Sequence, residues 1–493
     1  MSDMIFVTLQ CIRQKLLNIC VVSVFRFAPC RRSLLTGSRD FQHRGRSALT
    51  ETGLQLVVSR SATGRSRCLC LNSVSVLREV RLCESLSNFT QVSQGRDLNT
   101  RTPTMSKVTL TDSQPHRFKQ TVFKSHQGHV YRIPALFHER ESETLLAFAE
   151  QRRTAADSTA EKLVMKTGKL REDSPGVKTV EWSDFKPVEE AQIEGHRSMN
   201  PCPVYEENNK MLFLFFICVE GTVEERWQIQ NCTNKARLCY ITSEDLGQSW
   251  SNFTDLTESL EEIKNWATFA VGPGHGLQMK GGRLIVPVYG YAKKGDPHAL
   301  ALYSDDCGDH WQFGKMLPTE SIECEMAEFF DEGDKSFIYC NARSQGGNRV
   351  EAVSEIDGHQ FSKLSCPSTL VETGKGCQGS VISFPAQSED ANTKSDQSQN
   401  KNKWLLFTHP SDKCRRIDLG VYLNKSPQDP KAWSKPWIIN YGPSGYSDLV
   451  YIDHGWFVCL MERGEKTETE QIACVVFSYD HIKKGIGEYL QDM

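Results

Sequence analysis

Ser243-Glu244-Asp245-Leu246-Gly247-Gln248-Ser249-Trp250 and Ser304-Asp305-Asp306-Cys307-Gly308-Asp309-His310-Trp311 share one pattern, Ser-x-Asp-x-Gly-x-x-Trp. A third segment, Ser354-Glu355-Ile356-Asp357-Gly358-His359-Gln360-Phe361, keeps the Ser, moves the Asp one place and ends in Phe. The copies stand roughly fifty to sixty residues apart, a spacing of propeller blades rather than helical repeats. Each predicts a tight outer turn in which the Asp carboxylate accepts backbone N–H groups, the Gly takes a positive φ and the aromatic packs beneath. In the second copy the third position of the pattern makes Asp306, not Asp305, the bracing residue. Asp245 and Asp306 are therefore expected to be structural.

Short strand-like runs fill the chain from about residue 120 to 488: Leu145–Ala149, Met211–Val219, Leu238–Ile241, Leu284–Tyr289, Ala299–Tyr303, Phe337–Cys340, Trp404–Phe407 and Gly455–Leu460. Clusters of Gly, Asp and Asn separate them. Only Asp255 to Trp266 reads as helical. An all-β chain with an internal repeat predicts a six-bladed β-propeller. The segment from about Gln387 to Lys403 is rich in Ser, Asp, Asn, Gln and Lys, and reads as a low-complexity surface loop.

Residues 1–104 differ from this body. They are rich in Arg and Ser and poor in acids, and Lys15 is their only lysine. Such a composition fits a disordered extension, with Met105 as a second start, or an organellar transit peptide. Leu16–Phe25 imitates a signal-peptide core, but Arg26, Arg31 and Arg32 follow at once. The domain division is thus 1–104 and 105–493.

Across all 493 residues the net charge is −3 and the pI near 6.5, which gives no global reason to expect a nucleic-acid partner. The apolar run Met211–Val219 falls far short of the roughly twenty residues that span a bilayer. Eighteen cysteines are present, but from Cys202 to Cys474 they stand singly within apolar runs, as reduced, buried thiols do. No Cys-x-x-Cys pair suggests zinc in the body, and no metal or cofactor is expected. The acceptor motifs at Asn88, Asn231 and Asn252 read as chance matches.

Three arginines stand beside strands at separate points of the ring: Arg132 in Tyr131-Arg-Ile-Pro134, Arg343 in Asn341-Ala-Arg-Ser344 and Arg416 in Arg415-Arg-Ile-Asp-Leu419. In a closed ring, strand ends distant in sequence converge on one mouth. Three guanidiniums there would grip a carboxylate through planar two-pronged bonds that lysine cannot copy. Tyr446, read as lying in a turn, is a candidate nucleophile. Glu323, Glu325 and Glu328 alternate along one strand, so only some share a face. Asp157 follows a strand in a polar loop and could serve as a mobile acid.

The chain from 120 to 488 resembles the animal exo-α-sialidases along its whole length. The segments that carry the resemblance are Tyr131–Pro134, Ala147–Arg152, His196–Pro203, Trp266–His275, Gly376–Ser380 and Gly445–Leu449, with the three turn motifs as the family's Asp-boxes. Within the family, Phe215–Val219, Tyr303–Asp306 and Lys435–Ile438 look most like the membrane-associated ganglioside sialidase of vertebrates, with the cytosolic sialidase second.

The resemblance implies a role for each suspect. Arg132, Arg343 and Arg416 match the triad that holds the carboxylate of sialic acid. Tyr446 matches the nucleophile, Glu323 its base, Asp157 the general acid, and Glu462 the acid that orients the first arginine. Arg152, Asn200, Glu225, Tyr289, Tyr291 and Gln378 match contacts to the rest of the sugar. The implied substrates are gangliosides, sialylated oligosaccharides and glycoproteins, with peripheral membrane contact and a membrane-associated location; a cytoplasmic location is the alternative, or a mitochondrial one if 1–104 is a transit peptide. Two rivals remain at this point: an inactive sialoglycan-binding propeller, and a transglycosylase that passes sialic acid to another sugar.

Overall fold

The computed structural model describes residues 119–174, 176–293, 295–364, 368–387 and 402–491, with side chains to residue 487. The expectations for residues 1–104, and for nearly all of the polar segment 387–403, lie outside these. The described part is an all-β, propeller-like arrangement of antiparallel sheets. One sheet runs Val130–Glu139, Thr144–Arg152, Ala160–Ser174, Val177–Trp182; a second runs His196–Glu206, Met211–Glu220, Ala236–Ser243, Thr254–Asp255. A third is built on Trp266–Val271, Leu284–Ala292 and Pro297–Ser304, and a fourth on Cys324–Phe330, Ser336–Ala342 and Val350–Ser354. The remaining large sheet has seven strands. In it the long strand Trp437–Tyr451 pairs with Ile417–Asn424 through its first half and with Trp456–Arg463 through its second.

Every apolar run singled out in the sequence lies within a strand, except that Gly455 stands in the turn just before Trp456–Arg463. Burial on both faces explains why the runs are continuous rather than alternating: along Thr144–Arg152 every residue is buried, and along Met211–Glu220 all but the ends. Phe148, Phe215, Phe269, Phe329, Phe407 and Phe477 are fully enclosed, one or more from each large sheet. Burying one such ring contributes on the order of 2–3 kcal/mol. Cys202, Cys218, Cys239, Cys324, Cys340, Cys377, Cys459 and Cys474 are free and buried, while Cys232, Cys307 and Cys414 are free and exposed. No helix among the described residues is long and apolar enough to cross a membrane.

The repeated motifs form the turns their chemistry predicts. Asp245 accepts the Ser249 N–H at 2.9 Å, and Asp306 accepts the His310 N–H at 2.9 Å. The motif serine binds both its Asp and the Gly N–H: Ser243 Oγ is 2.8 Å from Asp245 and 2.7 Å from Gly247 N, with 2.8 and 2.9 Å in the second copy. Gly308 has φ +100, and a Cβ there would meet the Phe213 ring at 2.3 Å, so no other residue fits. The third copy is weaker in structure too. Ser354 still receives the Ile356 and Gly358 N–H groups, but Asp357 offers only its backbone carbonyl, to Arg283.

Three local readings need correction. Tyr446 lies inside the strand Trp437–Tyr451 rather than in a turn. The helical segment placed at 255–266 is a short strand, Thr254–Asp255, followed by a 3-10 turn, Glu261–Asn265. Among the described residues, the α-helices are Glu225–Asn231 and Tyr479–Gln491. The first spans seven residues with Gln228 alone buried, so it shows no periodic apolar face to read.

Candidate active site

Strands from separate sheets bring residues to one mouth. Arg132 lies on Val130–Glu139, Asn200 on His196–Glu206 and Tyr446 on the second half of Trp437–Tyr451, while Glu323 immediately precedes Cys324–Phe330. The three strands that carry Arg132, Asn200 and Tyr446 break register at that point, and two of the breaks hold a left-handed residue, Ile133 (φ 59) and Asn200 (φ 57). A left-handed non-glycine residue costs about 1 kcal/mol or more and persists only where the surroundings hold it. Both positions border a cavity of about 380 Å³.

At its centre the Tyr446 hydroxyl donates to Glu323 Oε1 at 2.5 Å. Arg343 Nη1 is 2.7 Å from Glu323 Oε2 and donates to the Tyr446 oxygen at 3.0 Å. A local ladder fixes this triangle: Arg343 N–H donates to the Glu323 carbonyl at 2.8 Å, and Ile322 N–H to the Arg343 carbonyl at 3.0 Å. The guanidiniums of Arg132 and Arg416 each lie 5.3 Å from the Tyr446 ring centroid. Arg132 is clamped from behind by Glu462 through two 3.0 Å bonds, and Glu462 also receives the Ile133 and Tyr446 N–H groups.

Charge is unbalanced here in a useful way. Arg132 is paired with Glu462 and Arg343 with Glu323, but among the described residues Arg416 has no acidic partner and gives one hydrogen bond, to the Gly376 carbonyl at 2.9 Å. The Arg343 Nε is buried with no partner. An unpaired guanidinium and an unused donor beside two others form a seat for one carboxylate. Burial, and then Glu323, push the Tyr446 phenol well up, against the opposing pull of Arg343 and Arg416. The phenol is thus neutral at rest.

The rim holds the rest of the expected set. Arg152 is buried against Glu150 and reaches Asp157 Oδ1 at 2.5 Å; Arg153 is 64% exposed beside Glu161. Burial separates these two adjacent arginines, of which the sequence motif singled out Arg152. Asp157 sits on a 3-10 turn with its side chain 67% exposed at the cavity edge. The helix Glu225–Asn231 brings Glu225 within 3.0 Å of the Tyr289 hydroxyl, and Tyr291 lies beside Tyr289. Burial pushes Glu225 up to about 7, against the Tyr289 hydrogen bond and with help from Glu323 and Asp157.

Gln378 departs from the expected arrangement. It does not line the cavity but lies beneath it, donating to Pro273 O, Glu325 Oε1 and Ser447 O. Two residues given no role from sequence are integral to the mouth. Glu150 is fully buried and accepts from Arg152 Nε and Asn200 N at 2.7 Å each. Arg197 ties the carbonyls of Asp157, Gly221 and Val223 together. Both fall inside motifs already quoted, Ala147–Arg152 and His196–Pro203.

A match to the BNR repeat-like domain covers residues 143–459. Sialidase-3 of Homo sapiens is 42% identical over 415 residues, spanning 77% of this chain and 95% of the relative. The chain belongs to the animal sialidase family. Sialidase-2 of Mus musculus is likewise 42% identical, over 376 residues, spanning 73% of this sialidase and 95% of the relative. Among solved structures, Hadza microbial sialidase Hz136 aligns with a TM-score of 0.58 at 20% identity, covering 71% of this chain and 66% of that one. That likeness concerns the fold alone. The sialidase is a glycoside hydrolase, an exo-α-sialidase acting on sialylated glycoconjugates.

Proposed function

We propose that this sialidase is a retaining enzyme in which Tyr446 is the nucleophile, Glu323 its base and Asp157 the general acid. The observation that carries the reading is the 2.5 Å bond from the Tyr446 hydroxyl to Glu323, braced by Arg343. Most retaining glycosidases use a carboxylate nucleophile, and tyrosine-based sialidases are a recognised exception. The chemistry explains the choice. The anomeric carbon of sialic acid bears a carboxylate, which would repel an incoming Asp or Glu but not a neutral phenol.

Arg132, Arg343 and Arg416 hold that carboxylate, and Glu462 keeps Arg132 in place. Glu323 takes the phenolic proton as Tyr446 Oη bonds to the anomeric carbon. The glycosidic C–O bond breaks, and Asp157 gives its proton to the leaving oxygen. Asp157 then takes a proton from water, whose oxygen displaces Tyr446, and Glu323 returns the proton to the phenol. The arginines offset charge as the oxocarbenium-like transition state develops. Arg152, Asn200, Glu225, Tyr289 and Tyr291 meet the remaining sugar substituents.

The ring is read as six-bladed, the seven-stranded sheet counting as two blades that share Trp437–Tyr451, with the repeated turns as Asp-boxes. Gangliosides are the favoured substrates, reached by peripheral membrane contact. Support for this is the similarity of Phe215–Val219, Tyr303–Asp306 and Lys435–Ile438 to the ganglioside enzyme. The test is hydrolysis of a ganglioside, a sialoglycoprotein and a fluorogenic sialoside by the full chain, with the released anomer followed by NMR. The ganglioside is cleaved fastest and the α anomer appears first. Initial β anomer would overturn the nucleophile, and absence of turnover on all three would favour a sialoglycan-binding propeller.

A further inference from the structure

Directly beneath the Tyr446–Glu323 pair lies a second set of ionisable groups to which the chemistry above gives no task. Asp448 follows Tyr446 by two residues on Trp437–Tyr451, and Glu325 on Cys324–Phe330 follows by two the Glu323 that immediately precedes that strand. The two strands are not hydrogen-bonded neighbours. His275 joins them: its Nδ1 is 2.7 Å from Asp448 Oδ1 and 3.7 Å from Glu325 Oε2. It arrives on a loop that can pass only because residue 274 is glycine. Gly274 has φ +123, and a Cβ there would fall 1.7 Å from Glu325 Oε1.

The cluster already has its hydrogen-bond partners. Asp448 accepts from Leu136 N, Leu449 N and Ser380 Oγ; Glu325 accepts from Val381 N, Gln378 Nε2 and the same Ser380 Oγ. That hydroxyl lies 2.8 Å from Glu325 and 2.9 Å from Asp448, and it has one proton for two carboxyl oxygens. The site therefore needs further protons. Burial opposes a charge on His275, but Asp448 and then Glu325 outweigh it and push the imidazole up to about 9. Burial, and then Asp448, push the Glu325 carboxyl well up. Cys202 on His196–Glu206 and Cys459 on Trp456–Arg463 also face the group, as thiols pushed well up by burial. His275 further lines a second cavity of about 620 Å³ and not the substrate mouth.

We propose that His275 is a positioning residue for the reaction: its imidazolium bridges Asp448 and Glu325, and thereby sets the distance between Tyr446 and Glu323 one layer above. Without it, two buried carboxyl groups on separate strands lose the cation they share and keep only the Ser380 hydroxyl between them, and an unpaired buried charge is among the costliest changes a core can suffer. Gln378 reinforces the link, since it bonds Glu325 and both the N–H and C=O of Ser447. Val130–Glu139, Cys324–Phe330, Ser380–Pro385 and Trp437–Tyr451 thus meet at one ionic knot under the reacting atoms. The inference rests on the assignment of Tyr446 and Glu323 given above.

The test is His275→Asn in the full chain, assayed with a fluorogenic sialoside whose good leaving group does not need the Asp157 proton. KM stays within about twofold of wild type, because the arginines are untouched, while kcat falls at least about tenfold. Glu325→Gln keeps an oxygen for Val381 N–H and Ser380 Oγ but sets an NH2 against the Gln378 Nε2 donor, so its kcat falls less than that of Glu325→Ala, which falls with His275→Asn. Wild-type kcat on this substrate declines as pH rises through about 9, and His275→Asn lacks that step. Unchanged kcat in His275→Asn, or parallel change in KM and kcat, overturns the proposal. If that variant does not fold, a wild-type kcat that is flat through the same pH range overturns it instead. Loss of activity on chelation, restored by calcium, would also overturn it by putting a cation where the proton is assigned. Tyr446→Phe separates the two readings: turnover there defeats the nucleophile, whereas an inactive Tyr446→Phe beside a normal His275→Asn defeats only the positioning role.

Discussion

Tyr446 meets two opposed demands. A buried phenol avoids repelling a carboxylate substrate, yet the same burial makes it slow to give up its proton. Glu323, at 2.5 Å, resolves the conflict by taking the proton as the new bond forms, and Arg343 holds both partners. Tyr446→Phe removes only the oxygen, so fold and sialic-acid binding persist while kcat falls on the order of 10⁴-fold, a loss measured by steady-state kinetics beside a binding titration. Turnover within about tenfold of wild type would refute the assignment. Asp157 stands at the exposed rim, where its proton matters most to poor leaving groups. Asp157→Asn therefore lowers kcat by roughly 10²-fold or more on a natural glycoside and much less on a nitrophenyl sialoside. Equal losses on the two would count against a general acid at this position.

At the scale of single elements, the repeated turns isolate structure from chemistry. Asp306 is held by the His310 N–H, the His310 ring and Ser304, which push its carboxyl down to about 2. Asp306→Ala removes these bonds far from the cavity, so thermal stability falls by about 1 kcal/mol, as for a lost cap, with KM unchanged. The depressed Asp contributes stability above its ordinary 3.8, and that contribution fades as pH falls towards 2. The difference in melting temperature between the variant and wild type therefore narrows over that range; a constant gap would show that another interaction was lost. Asp305 is not an inert neighbour, because it pairs with Arg283 at 2.6 Å, although at 50% exposure such a pair is worth little. Elements were read less surely than these turns. The segment around Tyr446 looked like a turn because Pro443 and Gly445 flank it. The strand nevertheless continues, with a break in register between Ser444 and Ser447, and Gly445 leaves room for Glu462, whose Oε2 would lie 2.3 Å from a Cβ there.

For the whole molecule, what could be read from sequence follows from what repeats and what converges. Strand positions were plain because both faces are buried, and the repeated turns announced their period. The mouth was legible as a list of residues but not as a geometry: the motif singled out Arg152 over Arg153, but not that one is buried against Glu150 and the other exposed. Gln378, Glu150 and Arg197 owe their places to contacts between separate strands, which no local pattern records. The seven-stranded sheet contains the last such contact, for Gln120–Lys124 pairs not with the strand that follows it but with Gln471–Ser478. The ring is therefore sealed by a strand from one end of the domain laid against one from the other. During synthesis, the segment made first must wait for residues about 350 positions later before its edge is satisfied, as the Thr121 hydroxyl bonded to Gln471 shows. An unpaired edge strand on a nascent chain is a template for wrong partners. Until translation passes residue 478, the growing protein is an open arc with two sticky margins, dependent on whatever shields nascent chains.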